Sequence, residues 1–436
     1  MKYFWFIVYN FLFLPLFWAV AKFLSLFNNK LKIAFKARKD LFKFLSSKIN
    51  SLDPNKKNIL IHCSSLGEFE QSKPIIDELD KLNKYNFIIS FFSPSGYNHS
   101  KIDSPLNSKI IKTYLPFDSV GNIKKFIKLI KPNAVIFIKY DLWPNLLKEI
   151  YTNNIFSFVV NSAIDIRKFK WRFKPYISFK RYIYSFINSV AVTDDEDMLY
   201  FKKILKGTQT DMFVFGDTKY ERISKAKLSA QNSGLLNQNI INNKNIFVIG
   251  SSWDKDIDVI LPVLNKISSN GISEKLSLLT ILVPHEPTEN NIENIEFDLS
   301  QKYSNLKFIR YSELNKYKDE NLIIVDCIGI LMGLYKYAKI AYVGGGYQSG
   351  LHNVLEPAGY GIPVLFGDEK LSEDAELLIK NGGGIAVEDS KELYKYLLNF
   401  LRNNDYRYQI GCKSLSVFDS KNEASKKIAH LINSKI

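Results

Sequence analysis

The sequence predicts an α/β protein of two doubly wound, Rossmann-like domains facing a cleft, preceded by an N-terminal membrane-anchor helix. Three observations predict it. From residue 58 onward, short apolar runs alternate with longer amphipathic stretches, the pattern of a parallel sheet wrapped by helices. That rhythm breaks once, at the polar interval 224–245, and then restarts. The chain also opens with an uncharged run at residues 4–21 dominated by Phe, Leu, Val and Trp.

The opening run continues in apolar character to residue 27 and approaches the ~20 residues that cross a bilayer core. Residues 1–27 are therefore assigned as the anchor. Pro15 can kink such a helix, so it either spans the membrane or lies in the interface. Lys30, Lys32, Lys36, Arg38 and Lys39 follow it, and the positive-inside tendency puts that side in the cytoplasm. A cleaved signal peptide ending at Ala19-Val20-Ala21 is the alternative, opposed by a basic start of Lys2 alone and by those downstream cations.

Residues 28–223 form the first α/β domain, with strands expected at 58–62, 87–92, 110–114, 134–138, 155–160 and 190–193. A helix at 68–82 carries Phe69, Ile75, Ile76, Leu79 and Leu82 as its apolar stripe. Residues 224–245, rich in Asn, Lys, Ser and Gln, are the linker. Residues 246–436 form the second domain, with strands at 246–249, 276–283, 306–311, 322–325, 340–343, 363–366 and 384–387.

Composition narrows the function. With 46% hydrophobic and 24% charged residues the chain is an ordinary globular protein. Its net charge of +15 comes from lysines scattered along the chain, whereas a nucleic-acid footprint would be clustered. The charge is either solvated surface or an attraction to anionic lipid and phosphorylated substrate. Cys63, Cys327 and Cys412 are widely spaced and form no C-x-x-C pair, which fits a reducing compartment. With five histidines in total, no His-rich metal centre is expected.

In open α/β sheets ligands sit beyond the carboxyl ends of the strands, and the motifs cluster there. The first strand runs into His62-Cys63-Ser64-Ser65-Leu66-Gly67-Glu68. Gly67 permits a tight turn, and Glu68 at the helix start is either a general base or a carboxylate that complements the helix dipole. Glu70, two residues on, faces elsewhere. Gly250-Ser251-Ser252-Trp253-Asp254 opens the second domain and is either an anion-binding turn or a helix cap. Two prolines stiffen the loop Val283-Pro284-His285-Glu286-Pro287, from which His285 projects.

The richest segment carries Gly344, Gly345, Gly346, Gly350, His352, Asn353, Glu356 and Pro357 after another strand. Its glycines would let a phosphate approach the backbone, Asn353 would cap the next helix, and Glu356 would bind a ribose diol. It is neither a dinucleotide fingerprint nor a Walker loop.

Taken in order, these segments resemble the Kdo transferases, which move 3-deoxy-D-manno-octulosonic acid (Kdo) from CMP-Kdo to the lipid A precursor. The likeness also takes in Lys139-Tyr140-Asp141-Leu142-Trp143-Pro144-Asn145, Gly216-Asp217-Thr218-Lys219 and Asp326-Cys327-Ile328-Gly329. The resemblance implies a GT-B fold and an inverting, metal-free transfer to lipid IVA with no cofactor, in which Glu68 deprotonates the acceptor. It implies donor contacts at Gly250, Ser251, Ser252, Pro284, His285, Ile328, Gly329, Ile330, Gly344, Gly345, Gly350, His352, Asn353, Val354, Leu355 and Glu356. Acceptor contacts are implied at Ser65, Gly67, Arg38 and Lys139, at the inner membrane's cytoplasmic face. Arg38, Lys39 and the basic run 167–174 would face lipid A phosphates, or are solvated charge.

Three departures accompany the likeness. Pro-Arg-His is commonly found where this chain has Pro284-His285-Glu286, leaving His285 as substitute for the arginine. Gly-Glu-Leu becomes Gly329-Ile330-Leu331, and of two acids before Leu142 only Asp141 remains, with Lys139 in place of the other. Another GT-B nucleotide-sugar transferase, an epimerase, and a non-catalytic membrane-tethered lipid- or sugar-nucleotide-binding protein remain the alternatives.

Overall fold

The computed structural model describes residues 2–101, 106–163, 174–231, 233–419, 421 and 423–436. They form two compact units, one of residues 1–222 with 421–436 and the other of residues 223–420. Each is built on a seven-stranded parallel sheet.

The first unit contains β1 Lys57–Cys63, β2 Tyr85–Phe91, β3 Ile110–Tyr114, β4 Ala134–Ile138, β5 Phe156–Ser162, β6 Ser189–Val192 and β7 Asp211–Val214, in the order β3-β2-β1-β4-β5-β6-β7. Strand side chains alternate between two cores, as the pleat requires. Leu60, Ile88, Val135, Val159 and Val190 enter the core that holds Leu41, Leu45, Phe126 and Leu147. Ile59, Ile61, Phe87, Ile89 and Ile136 enter the other, with Phe69, Ile75 and Ile76 of helix Leu66–Asp80. Buried on both faces, these strands read as continuous apolar runs. The sequence pattern missed β7, a sheet-edge strand whose four residues are exposed or half-buried.

The second unit contains β8 Asn245–Ser252, β9 Leu278–Pro284, β10 Phe308–Arg310, β11 Leu322–Ile324, β12 Ile340–Val343, β13 Val364–Gly367 and β14 Gly384–Val387, in the order β10-β11-β9-β8-β12-β13-β14. Two corrections to the expected domain limits follow. Residues 224–245 are no linker, because helix Lys219–Gln231 runs through the interval and Leu236 and Ile240 join the core of the second unit. Its polar residues are half-buried on that helix, as at Ser224, Lys225 and Lys227, and exposed after it, as at Asn237, Asn242 and Asn243. The final stretch belongs to the first unit instead of the second. Ile428, Ala429 and Ile432 of helix Ala424–Lys435 line one helix face and enter the first unit's core beside Phe69, while both Ser425 N–H and Ser425 Oγ bond the Glu221 carboxylate.

The N-terminal apolar stretch is helical from Lys2 to Leu24, with a widened π turn at Val8–Phe13 immediately before Pro15. A widened turn accommodates the proline, which lacks an N–H and clashes with the carbonyl four residues back. Residues 3–24 are long and apolar enough to cross a membrane, with a mean hydropathy of 1.9 and most of the helix uncovered. One face is built into the first unit. Trp5 Nε1 donates to Ser178 Oγ (2.9 Å), Tyr9 Oη–H to Asp118 Oδ2 (2.9 Å), and Asn10 Nδ2 to Asn145 Oδ1 (3.1 Å).

Asp118 is the hub of this attachment, since it also accepts from the backbone N–H of Asn145 and of Leu146, each at 2.9 Å. Burial pushes its carboxyl up to about 7, against those hydrogen bonds. The folded chain therefore holds this proton more tightly than the unfolded one, and stability should fall as pH rises from the ordinary carboxylate range through about 7. Asp118→Ala leaves three donors without an acceptor and should cost about 3 kcal/mol. Urea midpoints in detergent, measured across that pH range, test both statements; an unchanged midpoint in the variant would contradict the assignment of Asp118.

Candidate functional site

In the first unit β1 lies between β2 and β4, so the chain leaves β1 and β4 toward opposite sides and a crevice opens at their carboxyl ends. Loop 64–68 after β1 and loop 139–144 after β4 occupy it. Ser65 is the N-cap of helix Leu66–Asp80, accepting from the Glu68 N–H through Oγ, and the Glu68 carboxylate reaches back to the N–H of Ser64. One carboxylate oxygen is thereby fixed, with the side chain half-buried. Burial raises the Glu68 carboxyl above its ordinary value, opposed by the bonds to Ser64 and by the charge of His62.

His62 and Asp141 join the two loops. His62 Nε2 is 2.8 Å from Asp141 Oδ2, and Nδ1 is 2.9 Å from Ser90 Oγ on the neighbouring β2. Burial pushes the Asp141 carboxyl up, but the hydrogen bond and charge of His62 outweigh it and hold the group below its usual value. The sequence reading quoted His62 and Asp141 but gave them no role. A histidine on the final turn of a strand and an acid after the adjacent parallel strand were the available signal.

Two expectations change here. Gly67 makes no tight turn; it lies in the first helical turn, and an added Cβ would meet only Ser65 Oγ at 3.9 Å. Arg38 is not free for an acceptor phosphate. Its guanidinium donates to the carbonyls of Leu115 (2.7 Å), Ala34 (3.0 Å) and Phe92 (2.8 Å), and burial lowers its pKa to about 10. Glu70 pairs with Lys73 at 2.8 Å. Lys139 does sit at the end of β4, half-buried and with a left-handed φ of 65°. Residues 167–173 of the expected basic run lie outside the described residues.

In the second unit the corresponding crevice separates β8 from β12. Asp256 pins it. Its carboxylate accepts from the N–H of Trp253 (2.9 Å), the N–H of Gly345 (2.8 Å) and the Tyr342 hydroxyl (2.9 Å). Burial raises its pKa against those three bonds. Sequence reasoning passed over Asp256, although an acid three residues into a helix is the capping position.

The glycines are closed by protein. A Cβ on Gly344 would lie 2.3 Å from the Ser251 carbonyl oxygen, and one on Gly345 2.4 Å from that of Gly350. The N–H of Gly344 goes to the Gly250 carbonyl (2.9 Å) and that of Gly345 to Asp256 (2.8 Å). These two glycines serve backbone packing, and the expected phosphate approach at them is corrected accordingly. At Gly250 a Cβ would strike the Tyr335 hydroxyl at 2.2 Å. Open space remains at Gly329 (φ +90°) and Gly350 (φ +103°). Val354 and Leu355 are fully buried, so only their backbone can face a ligand.

Beside this loop three aromatic rings form a stack. Trp253 and His285 lie 4.5 Å apart, His285 and His352 4.3 Å, and Trp253 Nε1 donates to His352 Nε2 at 2.9 Å. Burial, followed by the charge of His285, lowers the pKa of His352, which accords with a neutral ring accepting through Nε2. The structure thus gathers His285 and His352. Pro284 ends β9, and the His285 N–H bonds the Ser252 carbonyl at 3.0 Å. Ser251 takes a left-handed φ of 54° at the β8 bulge, while Ser252 is buried. Asn353 Oδ1 accepts from the Leu355 N–H, and Asn353 Nδ2 donates to Glu356 Oε1, both at 3.1 Å. Ile328 is 83% exposed, with Ile330 half-buried nearby in sequence.

Residues 34–222 match the family described as 3-deoxy-D-manno-octulosonic-acid transferase (kdotransferase). The chain is a glycosyltransferase similar to the Kdo transferases over most of its length. The Aquifex aeolicus 3-deoxy-D-manno-octulosonic acid transferase is 28% identical over 355 residues, covering 80% of this chain and 88% of that protein. A Fusobacterium nucleatum bifunctional glycosyltransferase/methyltransferase is also 28% identical, over 77% of this chain, and this chain spans 51% of its length. In fold, the UDP-GlcNAc 2-epimerase of Neisseria meningitidis bound to UDP-GlcNAc matches with a TM-score of 0.59 at 13% identity, over 86% of this chain and 100% of that one. The last likeness concerns architecture alone.

The close packing makes the two sorts of glycine distinguishable by mutation. Gly345→Ala places a Cβ into the Gly350 carbonyl at a positive φ and should destabilise the second unit by more than about 3 kcal/mol. Gly350→Ala has open space and should cost only the backbone strain, about 1 kcal/mol. Thermal unfolding of the two variants checks the order.

Proposed function

We propose that this chain transfers Kdo from CMP-Kdo to a lipid A precursor, lipid IVA, with inversion at the anomeric carbon and Glu68 as the general base. The observation that carries the reading is a carboxylate held at the β1–β4 switch point, with its pKa raised by burial, in a chain similar to the Kdo transferases. A base is most effective when its pKa lies near the working pH, and burial moves Glu68 in that direction.

In the proposed step Glu68 takes the proton of the acceptor hydroxyl as that oxygen bonds to the anomeric carbon. The bond from that carbon to the CMP phosphate breaks, and CMP leaves with the electron pair. The His62–Asp141 pair positions the loop after β4 against the loop after β1, and its net charge stays close to neutral when the imidazole is protonated. The second unit takes the donor, with Pro284, His285, Gly329 and Gly350 at strand ends and Asn353 and Glu356 for the nucleotide. Exposed backbone dipoles and His285 would serve the leaving phosphate in place of a metal. Among the described residues no three His, Cys, Asp or Glu side chains gather as a metal-ligand group.

The reading further places the protein at the cytoplasmic face of the inner membrane, held by residues 3–24, whose outer face is apolar and uncovered. The scattered lysines behind the net charge of +15 would favour an anionic surface.

Glu68→Ala should lower kcat for Kdo transfer at least about 100-fold while CMP still protects the protein from thermal unfolding. Retained transfer would remove Glu68 from the role of base. In the unaltered protein, kcat/KM should rise with pH through a midpoint above the ordinary glutamate range, because only the ionised carboxylate accepts the proton. CMP should protect where UDP and GDP do not; protection by UDP alone would point to a different donor.

A further inference from the structure

The anchor helix does not lie flush on the first unit. Between them is an apolar pocket of about 500 Å³, within the ~300–1,000 Å³ range of ligand sites, with Trp5, Val8 and Phe13 on the helix side and Trp143, Phe179 and Ile183 on the other. Of its polar groups, the Tyr9 hydroxyl is committed to Asp118 and the Trp5 indole N–H to Ser178, and one buried donor, the Trp143 indole N–H, has no partner among the described residues. A peptide would leave its backbone groups unsatisfied in such a lining, whereas a hydrocarbon chain would not. The helix wall also has an opposite face carrying exposed Phe4, Ile7, Phe11 and Leu12, so the pocket adjoins a surface made for acyl chains.

The pocket's lining extends to Asp141, which is bonded to His62, and the charge of Asp141 is felt at the Glu68 carboxyl. Lys139 and Lys148 border the same elements, with the Lys148 ammonium 3.6 Å from the centre of the Phe6 ring, and offer charge to a phosphorylated headgroup.

We propose that this pocket takes one acyl chain of the acceptor lipid and that the anchor helix is thereby part of the acceptor site. The proposal rests on the acceptor being a lipid. Burial of each methylene is worth about four-fold in affinity, so the chain would dominate acceptor binding.

The test uses the full chain in detergent and a saturated fatty acid carrying a diazirine at its terminal carbon. Irradiation should place adducts on Val8, Phe13, Phe179 or Ile183, and added lipid acceptor should suppress them. Val8→Trp, which fills the pocket, should reduce those adducts at least about ten-fold. Adducts confined to Phe4, Ile7 and Phe11, or adducts that the lipid acceptor leaves unchanged, would overturn the proposal. Because labelling needs neither donor nor turnover, competition by the lipid without any Kdo transfer would support the pocket while sinking the donor assignment. Kdo transfer with labelling only on the outer helix face would do the reverse.

Discussion

Parallel strands impose the constraint from which the rest of this structure follows: each sheet reverses its winding beside its first strand, and the chain parts there. β1 lies between β2 and β4, and β8 between β9 and β12. A crevice at each reversal is unavoidable, and its walls are two loops with no common hydrogen-bond ladder. In both units a carboxylate closes that gap. Asp141 reaches from the loop after β4 to His62 on β1, and Asp256 reaches from the helix after β8 to Gly345 beyond β12. The free energy of these contacts is modest singly, but an unmade bond at either buried group would be costly. Candidate site geometry in each unit thus depends on one acid.

The glycine-rich segment illustrates how two demands on glycine can be confused. A phosphate cradle needs glycine so that a ligand can approach the backbone, and its N–H groups must be available. Gly344 and Gly345 have neither property, since neighbouring backbone fills the Cβ positions and their N–H groups bond Gly250 and Asp256. They let two loops pack at backbone contact. Gly329 and Gly350 have the positive φ and the open space that remain for a ligand. The aromatic stack of Trp253, His285 and His352 stands beside them, and it converts a histidine where the family commonly has arginine into a ring with a fixed plane.

The N-terminal helix joins an exposed apolar face to the fold. Its outer face is apolar and uncovered, while Trp5, Tyr9 and Asn10 bond side chains of the first unit. The Asp118 hub ties that helix to helix Pro144–Thr152, whose loop carries Asp141. The apolar helix and the candidate site therefore share supports.

Much of this protein is determined by local sequence. Four strands, β3, β4, β12 and β14, have the limits that apolar runs alone predicted, and β4 and β12 are buried along their whole length with no polar residue to blur them. β7 lacked that signal, with all four residues exposed or half-buried, and helix Lys219–Gln231 was hidden by its polar composition. Glu68 was legible near a helix start, whereas Ser65 was not read as its cap, although capping is a contact between residues three apart. What only tertiary structure decided involves partners far apart in sequence. The final helix joined the first unit because its Ile428–Ile432 face found helix Leu66–Asp80, Arg38 became a brace because three carbonyls surround it, and Asp118 and Asp256 gained their roles from donors up to 109 residues away. Local pattern reports which face of an element is apolar; the shape and polar groups of the surface that covers it exist only once the chain has folded.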